Sequence, residues 1–499
     1  MSFEKVRIQL EPLAAVVDVP RGASLVSSLS QHGVEFPCGG TGLCGGCGVR
    51  VLAGQLPITS QDVAAFSTEE LAEGWRLACQ ARVEMPLVLE CRQWHMDVLT
   101  DHSRVSGAGR AGLGVAIDLG TTTIAAQMVD MTTGSVVSVE SELNPQATFG
   151  SDVMSRIRAA LSGADLTTLV RLTLGQIIAK LAGGREKEIV EVVLAGNTVM
   201  HHLFSGLDVE PLSHAPFASP HLEEHRFSPQ DLGWPLSPAT RIRFLRCLGG
   251  FVGSDILAGI IAVGIPSSEE LLALVDLGTN GEIAIGNRRG ILCASTAAGP
   301  AFEAGAIRMG MRAVTGAISQ VSLSQGEMRA TVIGGAEARG ICGSGLVDAV
   351  AAGLESDGIL HSGRIADRSK YIPVQAPVVL FQADIRELQL AKSAIAAGFR
   401  LLLKRLGANA NDLQSIHLAG AFGNYVQARS AIRIGLLEVP MERIQASGNT
   451  ALRGAKMLLL FDDEPTLPSI DHVSLVQDPS FEDEFISCMA FPDKKASVG

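Results

Sequence analysis

Basic charge and aromatic rings are scarce in this chain of 499 residues. Its 40 lysines and arginines face 52 aspartates and glutamates, a formal net charge of −12, and only 4% of residues are aromatic. Such a surface matches neither nucleic acid nor an anionic membrane, so neither is expected as a partner. Long apolar runs are missing too. The best candidate, Ile256 to Ile265, is closed by Asp255 and Pro266, far short of the ~20 residues a membrane span needs. The opening MSFEKVRIQL has no basic stretch followed by an apolar core. No secretory signal is therefore expected, and the expected compartment is the cytoplasm. No Gly-Lys dipeptide occurs, which excludes a P-loop.

What is present is globular: 47% of residues are apolar and 18% charged, spread over a chain too long for one core. Nine cysteines occur, four of them within residues 38–79. An odd, locally clustered set argues for a metal centre rather than a disulfide framework. The cluster is Cys38, Cys44 and Cys47 (C-x5-C-x2-C) with a distant Cys79. Three thiolates on one loop plus one from elsewhere is the plant-type [2Fe–2S] arrangement, here one residue longer than the usual C-x4-C. The glycines between them (Gly39, Gly40, Gly42, Gly45, Gly46, Gly48) allow the backbone to wrap closely around the sulfurs. Four thiolates also suit zinc, but zinc sites usually carry two C-x2-C knuckles and this one has a single knuckle. Cys91 is expected to be an ordinary strand residue.

Residues 4–10 and 13–19 alternate as strands, and 23–32 pattern as a helix. Residues 49–52 form a strand, 68–73 a short helix capped by Ser67 or Thr68, and 85–91 a last strand. This is a compact α+β unit over residues 1–92. Residues 93–112, with SRVSGAGRAG, form a linker. GAGRAG matches G-x-G-x-x-G, but no strand precedes it and no helix follows, so a dinucleotide site is rejected. From residue 113 apolar strands alternate with helices. The string Asp118-Leu119-Gly120-Thr121 recurs as Asp276-Leu277-Gly278-Thr279, each between two strand-like runs. Two copies of a strand–turn–strand predict two related lobes, 113–250 and 251–499, with a ligand between them. A Gly-Thr turn offers N–H groups and hydroxyls to phosphate. The aspartate closing each first strand can hold Mg²⁺, directly or through water, or orient an attacking water.

Residues 113–460 resemble the superfamily of actin, sugar kinases and the heat-shock chaperone ATPase. GVAIDLGTTTIAAQMVD and LVDLGTNGEIAIG are similar to its two phosphate motifs. GGFVGSDILAGIIAVG and SGNTALRGAKMLLL resemble its connecting helices, and IHLAGAFGNYV its adenosine motif. Over nearly the whole chain the pairing of a ferredoxin with this ATPase resembles the reductive activators of corrinoid proteins, as do LNPQATFGSDVMSRI, LAGNTVMHHLFSG, GPAFEAGAIRMGMRA and GICGSGLVDAV.

The resemblance implies a β-grasp ferredoxin followed by a two-lobed α/β actin-like (ASKHA, ribonuclease H-like) ATPase. It implies ATP-dependent one-electron reduction of a Co(II) corrinoid to Co(I) on a partner methyltransferase or corrinoid protein, an upstream reductase or ferredoxin, and a homodimer. By motif, Cys38, Cys44, Cys47 and Cys79 hold the cluster, and Asp118 and Asp276 serve Mg²⁺–ATP. Gly120, Thr121, Thr122 and Thr123, then Gly278, Thr279, Asn280 and Gly281, then Gly420, Ala421, Phe422 and Gly423 cradle the nucleotide. The adenosine motif departs from the family in reading Gly-Ala-Phe-Gly rather than Gly-Gly, and the linker is shorter.

A plant-type cluster lies near about −400 mV, and the resemblance places the cobalt couple lower. Each 100 mV uphill costs ~2.3 kcal/mol per electron, which gives ATP a task. Two rivals are an activator of a radical dehydratase and an ATP-binding redox sensor without sustained turnover. The first is weakened because such activators carry their cluster inside the ATPase fold. Four residues keep open roles. His201 and His202 either pack near the lobe interface or ligate the partner's cobalt. Glu303 either touches nucleotide or caps a helix. Cys342 has no base beside it in sequence and reads as a small buried residue.

Overall fold

The computed structural model describes residues 4–11, 15–30, 36, 42, 47–91, 105, 109–150, 152–278, 280–367, 370–423, 425–461 and 465–493. Contacts divide the chain into two compact units, Met1–Asp97 with Leu143–Val170, and Val98–Glu142 with Arg171–Gly499.

The first unit holds a five-stranded sheet in the order Ala15–Pro20, Lys5–Glu11, Leu87–Cys91, Gly48–Ala53, Trp75–Leu77. Its edge hairpin is antiparallel, and Lys5–Glu11 runs parallel to Leu87–Cys91, the mixed pairing of a β-grasp ferredoxin. Alternation sets the faces: Val6, Ile8 and Leu10 are buried while Lys5, Arg7 and Gln9 are exposed. Ser67, not Thr68, caps the helix Thr68–Ala72, in a capping box with Glu70. A second capping box, Thr59 with Asp62, starts the helix Ser60–Ala65, which periodicity does not reveal. The helix Leu25–Ser30 packs on both the Ala78–Gln80 turn and Pro145–Phe149. That last segment belongs to the LNPQATFG string, where Arg156 is fully buried and donates to the Gly150 carbonyl (3.2 Å) and the Gln146 amide oxygen (3.4 Å).

In the second unit two six-stranded sheets share a run of five strands in one topology, each with its sixth strand added at the opposite edge. The first is ordered His225–Phe227, Arg241–Phe244, Ile189–Gly196, Leu113–Leu119, Thr123–Asp130, Ser135–Leu143. The second is ordered Ile444–Gly448, Leu413–Ala419, Leu271–Leu277, Gly281–Asn287, Gly290–Thr296, Ile470–His472. In both, the phosphate-motif strand pairs antiparallel with its successor and parallel with a later strand, which pairs parallel with the next. The string repeat is thus a repeat of lobes.

Two helices cross between the lobes: Ser254–Ala262, apolar and almost wholly buried, and Thr450–Leu460. A β-carbon on Gly454 would lie 2.0 Å from the Ala258 carbonyl oxygen, so only glycine permits this crossing distance. Among the described residues no helix is long and apolar enough to cross a membrane.

Candidate iron–sulfur and nucleotide sites

Pairing of Gly48 with Leu77 sets Cys47 beside the Ala78–Gln80 turn, where the Ala78 N–H donates to the Cys47 carbonyl (3.1 Å). Cys47 is buried and Cys79 half-buried, and neither is in a disulfide. The Gln80 side-chain amide lies 3.4 Å from the Cys79 sulfur as a donor. An N–H aimed at sulfur is what a cluster ligand needs to stabilise its charge. Cys38 and Cys44 fall outside the described residues. Among the described residues no three His, Cys, Asp or Glu side chains are placed to hold a metal together. Burial pushes the Cys91 thiol up to about 12, which keeps it protonated and inert.

The two phosphate hairpins repeat in detail. Asp118 and Asp276 each stand one residue before the end of the first strand. The turns close through Gly120 N–H to the Thr123 carbonyl and Gly278 N–H to the Asn280 carbonyl, both 3.0 Å. Thr121 accepts from the Asn197 amide at 2.8 Å, and Thr122 is half-buried beside it. Thr279 falls outside the described residues. Gly281 faces helix Gln382–Arg405, since a β-carbon there would meet Ile395 at 2.6 Å.

At the adenosine motif the strand Leu413–Ala419 runs alongside Leu271–Leu277 and delivers Gly420 against Asp276. Gly420 has φ of +80°, and a β-carbon would lie 2.5 Å from the Asp276 carboxylate. Glycine is what lets this backbone pass so close to the Leu277 carbonyl and to that carboxylate. Phe422 turns away from it into the core, its ring 4.7 Å from that of Phe302. Gly423 lies over the Leu418 backbone, and the Ala421 side chain is outside what is described.

Four residues that the motifs do not single out complete the cleft. Glu282 is the cross-strand partner of Asp276 and is itself paired with Ser295, whose hydroxyl donates to it at 3.2 Å. Directly opposed residues share a face of the sheet, so Asp276 and Glu282 look into the same space. Asp255 enters from the first turn of the helix Ser254–Ala262. Asn449 donates to Asp118 at 2.8 Å while capping Thr450–Leu460, and Asn197 caps Thr198–Ser205 while donating to Thr121. A second internal repeat would have revealed both: Gly196-Asn197-Thr198 recurs as Gly448-Asn449-Thr450.

Burial without enough counter-charge pushes these carboxyls up. Asp118 rises to about 6, opposed by its hydrogen bond from Asn449. Asp276 rises to about 7, with Asp118 adding repulsion, and Asp255 to about 8, with Asp276 the largest repelling charge. Glu282 is also raised well above its ordinary value, by burial and then by Asp255 and Asp276. A cleft of carboxyls that cannot all ionise unaided fits a divalent cation, and Mg²⁺, which keeps several of its waters, needs only one or two of them directly.

A pH dependence follows. Unfolded aspartates (pKa ~3.9) are ionised above pH 6, whereas the folded cleft retains protons there. Stability therefore falls as pH rises from 6 to 8. The melting temperature of nucleotide-free protein should drop across that window, and saturating Mg²⁺–ATP should flatten the slope. A slope unchanged by Mg²⁺–ATP would show that the cation does not reach these carboxyls.

Of the four residues whose roles the sequence leaves open, three are buried and one is exposed. His201 and His202 are fully buried, their rings edge to face at 5.4 Å, with His202 hydrogen-bonded to Ser219 (2.6 Å) and the Thr198 carbonyl (2.8 Å). Glu303 is exposed at the end of the short turn Pro300–Glu303. Cys342 is buried at the start of Gly343–Glu355, its sulfur 3.3 Å from the Ser344 hydroxyl.

Comparison with known proteins gives three consecutive family matches. Residues 8–84 match the 2Fe-2S iron-sulfur cluster binding domain, 113–268 the RACo middle region, and 270–498 the C-terminal domain of RACo, the ASKHA domain. The corrinoid activation enzyme RamQ of Eubacterium limosum is 35% identical over 425 residues, covering 76% of this chain and 70% of its own. The [Co(II) methylated amine-specific corrinoid protein] reductase of Methanosarcina barkeri is 25% identical over 420 residues, covering 76% and 77%. A solved reductive activator for corrinoid, iron-sulfur protein superposes with a TM-score of 0.66 at 26% identity, covering 98% of both chains.

Proposed function

This chain belongs to the family of reductive activators of corrinoid proteins, and we propose that it couples ATP hydrolysis to one-electron reduction of a Co(II) corrinoid on a partner protein. The observation that carries this reading is the joining, in one chain, of a ferredoxin whose Cys47 and Cys79 lie on neighbouring segments to a duplicated phosphate-hairpin ATPase. Cys38, Cys44, Cys47 and Cys79 would hold the [2Fe–2S] cluster, which supplies single-electron transfer. Asp118 and Asp276 would hold Mg²⁺ on the phosphates, with Asp255 and Glu282 lining the same space. The turns at Gly120–Thr123 and Gly278–Gly281 would face the phosphates, and Gly420 would bring the adenosine-motif backbone close against Asp276.

ATP can ease an uphill reduction only by binding one conformation better than another. The cleft is built for that. Its walls come from both lobes, and its carboxyls repel one another until a cation arrives, so Mg²⁺–ATP favours the closed arrangement. Closing would stabilise a partner-bound state in which cobalt is easier to reduce. The upstream donor is a low-potential reductase or ferredoxin and the active form a homodimer. Both assignments rest on the family resemblance.

The test is spectroscopic. Full-length protein, a fixed low-potential reductant and a candidate corrinoid protein are mixed with and without Mg²⁺–ATP. The Co(I) band should rise with ATP and stay near baseline without it. Equal rates in both samples would remove the ATPase from the reaction.

A further inference from the structure

The helix Thr450–Leu460 has its two ends in different places. Its first turn is capped by Asn449, which also holds Asp118 in the nucleotide cleft. Eleven residues, about 16 Å, further on, its last carbonyls need other partners, because the final turn of a helix leaves them unpaired. Two arginines supply them. Arg243 donates to the Leu458 carbonyl (3.1 Å), and Arg110 donates to the carbonyls of Leu459 (3.3 Å) and Phe461 (3.5 Å). Cations at this end also oppose the helix dipole.

Arg110 is held there. Its guanidinium pairs with Glu191, whose side chain is 4% exposed. Glu191 also receives Arg241 (2.7 Å) and Arg243 (3.1 Å), and Arg243 reaches on to Glu224 (3.2 Å). The backbone around Arg110 is fastened as well: its carbonyl accepts from the Thr132 hydroxyl (3.2 Å), and the Gly112 carbonyl accepts from Met131 N–H (3.1 Å). Val105 packs on Val129, Met131 and Leu460. All of these residues lie in the stretch 93–112 that leads from the ferredoxin, or on the elements they touch. Val105 and Arg110 of that stretch are therefore anchored at the carbonyl end of a helix whose other end sits on Asp118.

We propose that Arg110, clamped between Glu191 and the end of Thr450–Leu460, is a positioning residue that transmits nucleotide occupancy to the segment tethering the ferredoxin. Ligation of Asp118 by Mg²⁺–ATP competes with its bond from Asn449, shifts the helix along its axis, and moves the Leu459 and Phe461 carbonyls on which Arg110 rests. The inference rests on the functional reading above.

The experiment uses the full, cluster-loaded chain as wild type, Arg110→Ala, Arg110→Lys and Arg241→Ala. Arg241 shares Glu191 but makes no contact with the helix carbonyls. Four quantities are read: iron content, ATP hydrolysis, ATP stimulation of Co(I) formation, and amide hydrogen exchange across residues 109–112 with and without Mg²⁺–ATP. Arg110→Ala should keep its iron and its KM for ATP. It should lose about fivefold or more of the ATP stimulation, the lower range of allosteric coupling, and its exchange at 109–112 should no longer respond to nucleotide. Arg110→Lys should fall between, and Arg241→Ala should match wild type. Full ATP stimulation in Arg110→Ala overturns the proposal. Loss of hydrolysis in step with stimulation overturns it too, since the residue would then be merely structural. A wild-type protein whose Co(I) formation ignores ATP sinks the functional reading, and the proposal with it.

Discussion

Asp276→Asn should lower ATP hydrolysis roughly a hundredfold or more, the scale of removing one preorganised electrostatic group from a transition state, while iron content stays at the wild-type level. Three observations set the size of this effect. Asp276 sits on the central strand of its lobe, directly opposite Glu282 and against Gly420. It shares the cleft with Asp118, and burial first, then repulsion from Asp118, raise it to about 7. Asparagine keeps the shape but removes the charge, so the cleft loses cation affinity without losing its packing. The variant should also be more stable than wild type above pH 7 when nucleotide is absent, because it deletes one of the repelling carboxyls. Hydrolysis at the wild-type rate, measured at saturating Mg²⁺ and ATP, would show that the hairpin does not hold the phosphates. Asp118→Asn should fall in the same direction.

Cys79→Ala should abolish electron delivery and most of the visible absorbance while leaving ATP hydrolysis intact. Two irons and two sulfides are expected per wild-type chain. Cys79 is the proposed ligand outside the Gly/Cys-rich loop, and the Gln80 amide addresses its sulfur. It stands in a short turn whose place is set by the pairing of Gly48–Ala53 with Trp75–Leu77. Alanine is tolerated in such a turn, so the β-grasp sheet should form and the loss should be confined to the cluster. Iron and sulfide analysis of anaerobically purified protein measures this directly. Stoichiometric zinc in place of iron in the wild type would overturn the cluster assignment. The two variants together separate the modules: one keeps iron without hydrolysis, the other hydrolysis without iron.

Local chemistry was legible in the amino-acid string. The cysteine spacing, the repeated Asp-Leu-Gly-Thr, the strand alternation at Lys5–Glu11 and the capped helix at Thr68–Ala72 are each carried by a few consecutive residues. The short helix Ser60–Ala65 and the three-residue strand Trp75–Leu77 were not, because neither is long enough to show a period. The end of the 93–112 stretch looked like free linker from its glycines and small polar residues. Yet Arg110 and Val105 are fastened to the ATPase by partners at positions 129–132, 191 and 459–461.

What the sequence alone determined is therefore the pattern that points to the chemistry: four cysteines in a ferredoxin-like spacing, two aspartates near the ends of two equivalent strands, and glycines where the turns close. Only the tertiary structure decided which other groups share the cleft. Glu282 reaches Asp276 by strand register, Asp255 by the crossing of two helices, and Asn449 reaches Asp118 across more than three hundred residues. It also decided that Phe422, inside a motif read as binding nucleotide, turns its ring into the core against Phe302. The reason is physical. A turn or a ligand spacing is encoded by neighbours along the chain. A buried charge's partners are chosen by which faces of distant strands and helices the packed core brings together.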